Sequence, residues 1–345
     1  MDTNVNSSTM IEAKWWELAD NEKLLCKLCP RYCMIGEGQP GFCYIRQNHG
    51  GKLYTLGYAR PTGFAVDPIE KKPLNHFLPG TSILSFGTAG CNLGCKFCQN
   101  WSISKAKLDD TNALTAQPED VIALAKKYSS PSIAYTYNDP TIFGEYVIDI
   151  SKLGREEGLK SVMVTAGYID KEACKDVYEY IDAANVDLKA FTEEFYWKKT
   201  SSHLQDVLDF LIWLKNETDV WFEITTLLIP DENDSEEEIK AECDWILNNL
   251  GEWVPLHFTA FHPDFKMLDK EHTPAYTLTK ARNIAMSLGI KYCYMGNVHN
   301  IDGQTTYCPS CGKRLIRRDW HSVISDSLIR DKCSKCSAKI HGVFP

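Results

Sequence analysis

Short apolar runs alternate with amphipathic stretches between about residue 80 and residue 300. Such runs predict strands, and apolar residues at helical spacing between them predict helices. In PEDVIALAKKY (118–128), for example, the residues near one helical face are Val121, Ala123, Leu124 and Ala125. The predicted strands are SILSFG (82–87), SIAYTY (132–137), SVMVT (161–165), ANVDLKAF (184–191), VWFEITTLL (220–228), LHFTAF (256–261) and IKYCYMG (290–296).

Helical periodicity fills most of the intervals between these strands. Gly158 and Gly289 stand where two of the helices should end, since glycine is the preferred residue just past a helix. Alternation of helices with mostly apolar strands predicts an α/β fold with a parallel sheet. Six or seven βα units favour a partial (β/α) TIM-like barrel over a small doubly wound sheet.

Polar residues cluster just after the predicted strands. In βα barrels the chemistry sits at the carboxyl ends of the strands, so these residues are the candidates for a site. They are Thr136, Tyr137, Asn138, Asp139, Thr165, Asp187, Lys189, Glu223, Thr225, His262, Asn297 and His299.

The flanks of the chain lack this alternation. We therefore predict three regions: an N-terminal Cys-rich region (1–79), the partial barrel (80–300) and a zinc-ribbon-like module (301–345). The polar leader is expected to be a frayed tail, followed by a short helix around Trp15 and Trp16.

Composition and charge narrow the class of protein. A chain of 345 residues is long enough for one large core with small appendages. The net charge of -9 argues against nucleic acid as a main partner, because phosphate binding needs basic patches. No apolar run reaches the length of a membrane span, and the leader lacks the pattern of a secretory signal. We therefore expect a cytoplasmic protein.

The chain has 14 cysteines, and 11 of them fall in three clusters. Without a secretory signal, clustered cysteines favour a metalloprotein over a disulfide-bonded one. Cys174, Cys243 and Cys293 stand alone and are predicted to be buried apolar residues.

The central cluster has only three cysteines. Cys91, Cys95 and Cys98, in CNLGCKFC, follow the first predicted strand. Three thiolates on a four-iron cluster leave one iron open to an outside ligand. Binding of S-adenosylmethionine, whose sulfonium is then cleaved by one electron, is the chemistry that needs such an open iron. The alternatives are a structural zinc site, or a four-ligand cluster whose last ligand is distant in sequence.

The two outer clusters have four cysteines each. Cys308, Cys311, Cys333 and Cys336 are spaced much like a zinc ribbon, although a rubredoxin-type iron fits the same thiolates. The N-terminal set, Cys26, Cys29, Cys33 and Cys43, could hold zinc or a second iron–sulfur cluster, and its spacing fits no ferredoxin pattern. We favour a structural zinc there, with electron relay as the alternative.

Several segments of the sequence resemble a known family of enzymes. CNLGCKFC is similar to the signature of radical S-adenosylmethionine (SAM) enzymes. EKKPLNHFLPGT, AYTYNDPTIFGEY, NVDLKAF, FEITTLLIPDEND and YMGNVH look like the AmmeMemoRadiSam-system radical enzymes, which are related to the pyruvate formate-lyase activating enzyme. The resemblance runs from Cys26 to Pro345.

The resemblance implies roles for residues outside the cysteine loop. Phe97 would pack near the adenine, and Asn138 and Asp139 would bind the methionine amine. Asp139 stands where the family more often has Glu, and it could instead simply cap the next helix. Thr165 and Gly167 would line the cofactor, with Ala166 where the family has Asn. Asp187, Lys189 and His262 would lie beside the cofactor. No residue is assigned a direct catalytic role.

The resemblance also implies the activity. We expect reductive cleavage of SAM to a 5′-deoxyadenosyl radical, followed by hydrogen-atom abstraction, as in activation of a glycyl-radical enzyme. The rival is modification of a small metabolite, a cofactor precursor or another macromolecule with AmmeMemoRadiSam partner proteins. A third class, a metal-scaffold protein without chemistry, is disfavoured by the intact cysteine triplet. An electron donor of flavodoxin or ferredoxin type is the implied partner.

Overall fold

The computed structural model of the chain describes residues 10–108 and 114–344. The expected frayed leader therefore falls mainly on residues 1–9, outside the described residues. The chain forms two compact units, the first from residues 1–66 and 83–182 and the second from residues 67–82 and 183–345. These units divide the chain differently from the three regions predicted from the sequence, which stay a prediction.

The N-terminal part of the first unit consists of two small antiparallel sheets. The sheet orders are β1-β6-β5 and β2-β3-β4. The strands are β1 (Ile11–Glu12), β2 (Trp16–Leu18), β3 (Leu24–Cys26), β4 (Met34–Ile35), β5 (Arg46–His49) and β6 (Lys52–Thr55).

The helix predicted around Trp15 and Trp16 is wrong. Trp15 has a positive φ of 55°, and Trp16 begins β2, where it pairs with Cys26 of β3. Lys27 N–H also donates to the Trp15 carbonyl at 2.7 Å. Pairing with the strand that leads into the first cysteine cluster therefore overrides the local sequence preference.

The rest of the first unit has parallel strands. Each strand of the order β8-β9-β10 pairs in parallel with the next one along the chain, with β7 beside β8. These strands are β7 (Thr62–Pro68), β8 (Ser82–Gly87), β9 (Ser132–Tyr135) and β10 (Lys160–Thr165). The helices are α1 (Trp101–Ser104), α2 (Pro118–Lys127), α3 (Gly144–Glu156) and α4 (Lys171–Tyr178), with a 3-10 turn at Pro140–Phe143.

Helix boundaries follow from the sequence. Pro118 occupies the first turn of α2, where its missing N–H costs nothing, and Asp120 accepts the Gln117 N–H at 2.8 Å. After α3, Gly158 adopts a φ of 75°, as predicted for the residue that ends this helix. The buried face of α3 includes Tyr146, Val147 and Ile150.

The second unit contains the other parallel strands, in the order β14-β13-β12-β11. They are β11 (Ala183–Asp187), β12 (Trp221–Leu228), β13 (Leu256–Ala260) and β14 (Cys293–Gly296). The helices between them are α5 (Glu193–Phe195), α6 (Leu204–Glu217), α7 (Glu236–Asn249) and α8 (Ala275–Leu288), with a π-helical turn at Tyr196–Thr200.

The C-terminal part of the second unit is a set of short strands. After α9 (Ile301–Gln304), β15 (Thr306–Tyr307), β16 (Arg314–Asp319) and β17 (Ser322–Asp326) form one antiparallel sheet, and β18 (Leu328–Ile329) pairs with β19 (Lys332–Cys333). These strands share a buried cluster with Tyr292, Tyr294 and Ile340.

The predicted α/β class is confirmed, since both units carry parallel strands in chain order with helices between them. Whether the strands curve into a partial barrel stays a proposal. Within the described part of the chain, no helix combines the length and apolar character needed to cross a bilayer.

Candidate active site and metal centres

The loop after β8 carries Cys91, Cys95 and Cys98, all partly exposed. Leu93 N–H donates to Cys91 Sγ at 3.5 Å, and Cys98 Sγ lies 3.2 Å from Ser104 Oγ. Lys105 Nζ donates to the Leu93 carbonyl at 2.6 Å, which ties the loop to the end of α1. Burial raises the pKa of the Cys91 thiol to about 11.

Asn138 supports the start of this loop. Its Nδ2 donates to the carbonyls of Thr88 at 2.8 Å and Gly90 at 2.7 Å, and its Oδ1 accepts the Thr88 N–H at 3.3 Å. The side-chain amide is thus engaged by the backbone that leads into Cys91. Asn138 therefore holds the backbone of this loop in place, and its predicted contact with the methionine amine stays a prediction.

Gly90 is required by its surroundings. It has a φ of 88°, and a Cβ at this position would lie 2.0 Å from the Cys43 carbonyl oxygen. The loop can therefore approach the N-terminal cysteine segment closely only with glycine at this position.

Asp139 caps the 3-10 turn that follows it and also contacts β10. Its carboxylate accepts from the Thr141 and Ala166 N–H groups, both at 2.9 Å, and from Thr165 Oγ1 at 3.2 Å. Gly167 N–H in turn donates to Thr165 Oγ1 at 3.0 Å. Burial raises the pKa of Asp139, although these donors oppose the shift. The capping role expected for Asp139 is therefore confirmed, and its contact with the methionine amine stays a prediction.

In the second unit, Asp187 and Lys189 lie together at the carboxyl end of β11. Lys189 Nζ is 2.5 Å from Asp187 Oδ2, and the side chains are 17% and 31% exposed. His262 follows β13 and stacks obliquely with His272, at 6.0 Å between ring centroids. Phe97, in the first unit, is buried. What these residues bind stays a prediction.

The cysteine loop fits an iron–sulfur cluster. Among the described residues, the sets of three or more Cys, His, Asp or Glu ligand atoms within 4.8 Å of one another do not include Cys91, Cys95 and Cys98. Their sulfurs are therefore too widely spaced for one shared ion. A polynuclear cluster, in which each thiolate binds a different iron, suits three spaced sulfurs. Leu93 N–H and the Ser104 hydroxyl also contact two of these sulfurs, at Cys91 and Cys98.

The C-terminal cysteines have a different geometry. The Sγ atoms of Cys308 and Cys336 are 3.6 Å apart, and those of Cys311 and Cys333 are 3.7 Å apart. All four lie within 4.8 Å of one another. Tetrahedral coordination with Zn–S bonds of 2.3 Å gives sulfur separations of about 3.8 Å. This set therefore fits a single tetrahedral ion, and its identity as zinc stays a prediction.

The N-terminal cysteines line one small pocket in the first unit. Cys26, Cys29 and Cys43 are buried and Cys33 is partly exposed. Arg31, Arg46 and Asn92 line the same pocket. Burial raises the pKa of Cys43 to about 12 and also raises the pKa of Cys29.

The sequence analysis missed one buried polar network and named only Glu223 of a second. In the first unit, Arg46 pairs with Glu145. In the second unit, Glu223 lies near the start of β12, not at its carboxyl end, and its Oε2 is 2.7 Å from His257 Nε2. The backbone N–H groups of Asn75 and His76 also donate to Glu223. For the second network the available signal was the polar residues Glu223 and His257 inside otherwise apolar strands. The first network gave no such signal, because Arg46 lies in a polar strand and Glu145 on a helix.

Parallel βα units with a three-cysteine loop after a strand define an iron–sulfur enzyme class. Residues 86–243 match the family model described as "Radical SAM superfamily", so the chain contains a radical SAM domain. It is an enzyme of that class, and it is homologous to activating enzymes of glycyl-radical systems.

The relatives differ in how much of the chain they cover. The uncharacterized protein MJ0808 of Methanocaldococcus jannaschii is 41% identical over 333 residues, which is 96% of this chain and 99% of that protein. The pyruvate formate-lyase-activating enzyme of Clostridium pasteurianum is 25% identical over 202 residues, 53% of this chain and 81% of that enzyme. The crystal structure of a radical SAM methyltransferase from Sphaerobacter thermophilus matches in fold, with a TM-score of 0.52 and 17% identity over 69% of this chain and 71% of that one.

Proposed function

We propose that the protein is an activating-type radical SAM enzyme that abstracts a hydrogen atom from a glycine of a partner protein. The observation that carries this proposal is the Cys91, Cys95 and Cys98 loop, held by Asn138 and spaced for a polynuclear cluster. The homology to a pyruvate formate-lyase-activating enzyme supports the choice of a glycyl target.

A [4Fe–4S] cluster with SAM supplies a 5′-deoxyadenosyl radical by one-electron cleavage of the sulfonium. In this chain Cys91, Cys95 and Cys98 would hold the cluster. Asn138 holds the loop that carries them. Asp139 accepts a hydrogen bond from Thr165, which in turn accepts one from Gly167. We assign these residues, with Phe97, Asp187, Lys189 and His262, to the surroundings of SAM. The positive charge of Lys189 would help to hold the carboxylate of the cofactor.

A second candidate is radical modification of a small metabolite, a cofactor precursor or another macromolecule within the AmmeMemoRadiSam system. We retain this candidate because the activating enzyme matches a smaller share of the chain than another relative does. The activating enzyme of C. pasteurianum matches 53% of this chain, whereas MJ0808 matches 96%.

Two further assignments accompany the proposal. The electron would come from a flavodoxin or ferredoxin, because the cluster must be reduced by one electron for each SAM cleaved. We place the protein in the cytoplasm, where 14 unpaired cysteines stay reduced.

The first experiment tests the chemistry. Anaerobically reconstituted protein with dithionite and SAM should release 5′-deoxyadenosine, and Cys98→Ala should abolish the product. Cys174→Ala is the matched control, since Cys174 is a buried cysteine on α4. Equal yields from wild type and Cys98→Ala would refute the assignment of the cluster.

The second experiment tests the target. Incubation with candidate glycyl-radical enzymes should give the doublet of a glycyl radical in electron paramagnetic resonance (EPR) spectra. Product analysis with cell extract as the substrate source runs in parallel. A deuterium-labelled small molecule that transfers its label to 5′-deoxyadenosine, without any glycyl signal, would select the second candidate.

A further inference from the structure

We propose that Cys26, Cys29, Cys33 and Cys43 hold a second, polynuclear iron–sulfur cluster that relays electrons to the cluster at Cys91, Cys95 and Cys98. The site itself stands on its own geometry. The relay role rests on the function proposed above.

The spacing of the sulfurs separates this site from a zinc site. In the C-terminal set, the four sulfurs lie within 4.8 Å of one another, as a single tetrahedral ion requires. Within the described parts of the chain, no three of the N-terminal thiols meet that distance, although all four line one pocket. The triplet Cys91, Cys95 and Cys98 does not meet that distance either. The N-terminal set therefore resembles the cluster-binding triplet and not the single-ion site of the same chain.

The pocket also offers a donor suited to cluster sulfur. Arg46 is 1% exposed and lines the pocket with the four cysteines. Both of its terminal nitrogens donate to Glu145 or to the Lys14 carbonyl, but Arg46 Nε is buried with no partner among the described residues. A buried N–H without a partner is costly. A cluster sulfide or thiolate is an acceptor that would satisfy it and would tune the cluster potential.

The pocket lies directly against the loop that carries Cys91, Cys95 and Cys98, here called the radical SAM loop. Asn92, the neighbour of Cys91, is one of its lining residues, and Arg31 Nε donates to the Asn92 carbonyl. On the other side, the Cys43 carbonyl packs on Gly90, so closely that a Cβ there would be 2.0 Å away. The residues on both sides of Cys91 thus contact the N-terminal cysteine segment. This adjacency suits electron transfer between the two clusters.

The electron balance is simple. A reduced flavodoxin or ferredoxin loses one electron, and the N-terminal cluster gains it. The electron then passes to the cluster at Cys91, Cys95 and Cys98, which restores the N-terminal cluster to its oxidised state. No proton or covalent bond moves in either transfer.

Metal analysis tests the site independently of SAM cleavage. Wild type, reconstituted anaerobically, should hold about eight iron and eight sulfide with one zinc, as expected for two four-iron clusters and one single-ion site. The triple variant Cys91→Ala/Cys95→Ala/Cys98→Ala should keep about four iron and four sulfide. After reduction it should give an EPR signal that SAM does not change. Loss of all iron in this variant, with about two zinc per chain, would overturn the proposal.

The complementary variant keeps the test decisive if the triple variant is unstable. Cys29→Ala/Cys33→Ala should lose about four iron and keep the EPR signal that changes on SAM addition. With a reduced flavodoxin as donor, its rate of 5′-deoxyadenosine formation relative to that with dithionite should fall at least ~10-fold. An unchanged ratio would overturn the relay. Failure of the wild type to cleave SAM with dithionite would instead refute the proposed function and leave the iron count to decide the site.

Discussion

Arg46 and Glu145 form a bidentate ion pair buried in the first unit. Arg46 Nη1 lies 3.0 Å from Glu145 Oε2, and Nη2 lies 2.9 Å from Oε1. The side chains are 1% and 5% exposed. Glu145 Oε1 also accepts the Lys14 N–H at 2.8 Å. The ion pair thereby connects β5, and the segment around Lys14, to α3. This helix packs on the parallel strands.

Removal of Glu145 should strongly destabilise the protein. Glu145→Ala leaves the Arg46 charge buried without its partner, which typically costs about 3–5 kcal/mol in the free energy of unfolding. We expect the melting temperature of the anaerobic holoprotein to fall by at least ~5 °C. Glu17→Ala is the control, because the exposed pair of Glu17 with Lys27 should contribute only about 0–1 kcal/mol. Equal melting temperatures for the two variants would show that the pair does not hold the segment.

Asn138 gives a prediction about the radical SAM loop. Asn138→Ala would leave the Thr88 and Gly90 carbonyls without the donor they share, at a cost of about 1–3 kcal/mol for each buried group left unsatisfied. We expect the variant to lose iron from the adjacent site several times faster than wild type under an iron chelator. Asn249→Ala, which removes an exposed amide from the end of α7, provides the baseline rate. Identical rates of iron loss from the two variants would show that Asn138 does not hold the loop in place.

The secondary structure of the parallel strands could be predicted because local signals agree there. The apolar runs become β8 to β14, and Gly289 ends α8 with a φ of 125° as expected. The segment at Trp15 and Trp16 could not be predicted in the same way. Its strand depends on pairing with Cys26, a contact that local sequence does not encode.

The candidate site divides along similar lines. Chain spacing predicted which cysteines group together, because neighbouring ligands lie on one loop or knuckle. For the N-terminal set, however, it could not distinguish one ion from a cluster, since that depends on sulfur separations fixed by the fold. Nor could it show that Asn138 is engaged by the Gly90 carbonyl, 48 positions away.

The C-terminal cysteines should bind one ion on which local folding depends. Cys308 and Cys333 belong to the buried cluster that includes Ile316 and Ile340, so loss of the metal should loosen that cluster. Cys311→Ser should lower the zinc content by about one per chain and leave the iron content unchanged. Limited proteolysis should then cut within residues 306–344 at a higher rate.

Cys243→Ser controls for loss of a thiol elsewhere in the same unit, since Cys243 is a buried cysteine on α7. A tetrahedral thiolate iron in place of zinc would be coloured and would show in the iron count. Unchanged zinc and unchanged proteolysis in Cys311→Ser would contradict the single-ion site.

His76 links the stability of the second unit to pH. Its Nδ1 lies 2.6 Å from the His341 carbonyl and its Nε2 lies 2.5 Å from Tyr294 Oη. A carbonyl can only accept, so Nδ1 carries the proton and Nε2 of the neutral ring accepts from Tyr294. Glu223, His257 and Arg318 act on the ring electrostatically, but burial dominates and lowers the pKa of His76 to about 4.

The sign of the pH effect follows from this shift. Below the ordinary pKa of about 6.5, the unfolded chain binds a proton at His76 that the folded protein does not. The free energy of unfolding should therefore fall as the pH drops from about 6.5 towards 4, by up to ~1.4 kcal/mol per pH unit. Burial raises the pKa of Glu242 to about 8, so this carboxyl contributes a slope of opposite sign over the same range. Denaturant titration between pH 7.5 and 5 therefore measures the His76 slope as the difference between wild type and a His76 variant. This pH range lies above the pH at which Glu223 takes up a proton. Its pKa is lowered because His257 and the backbone donors outweigh its burial.

The variant His76→Gln isolates the contribution of this one ring. Glutamine keeps a donor and an acceptor but does not titrate, so the variant should be less stable at pH 7.5 and lose less stability on acidification. His321 and His341, whose pKa values burial also lowers, affect both proteins and cancel in the comparison. Parallel pH slopes for wild type and His76→Gln would mean that His76 takes up its proton equally in the folded and unfolded chain, contrary to its burial between His341 and Tyr294.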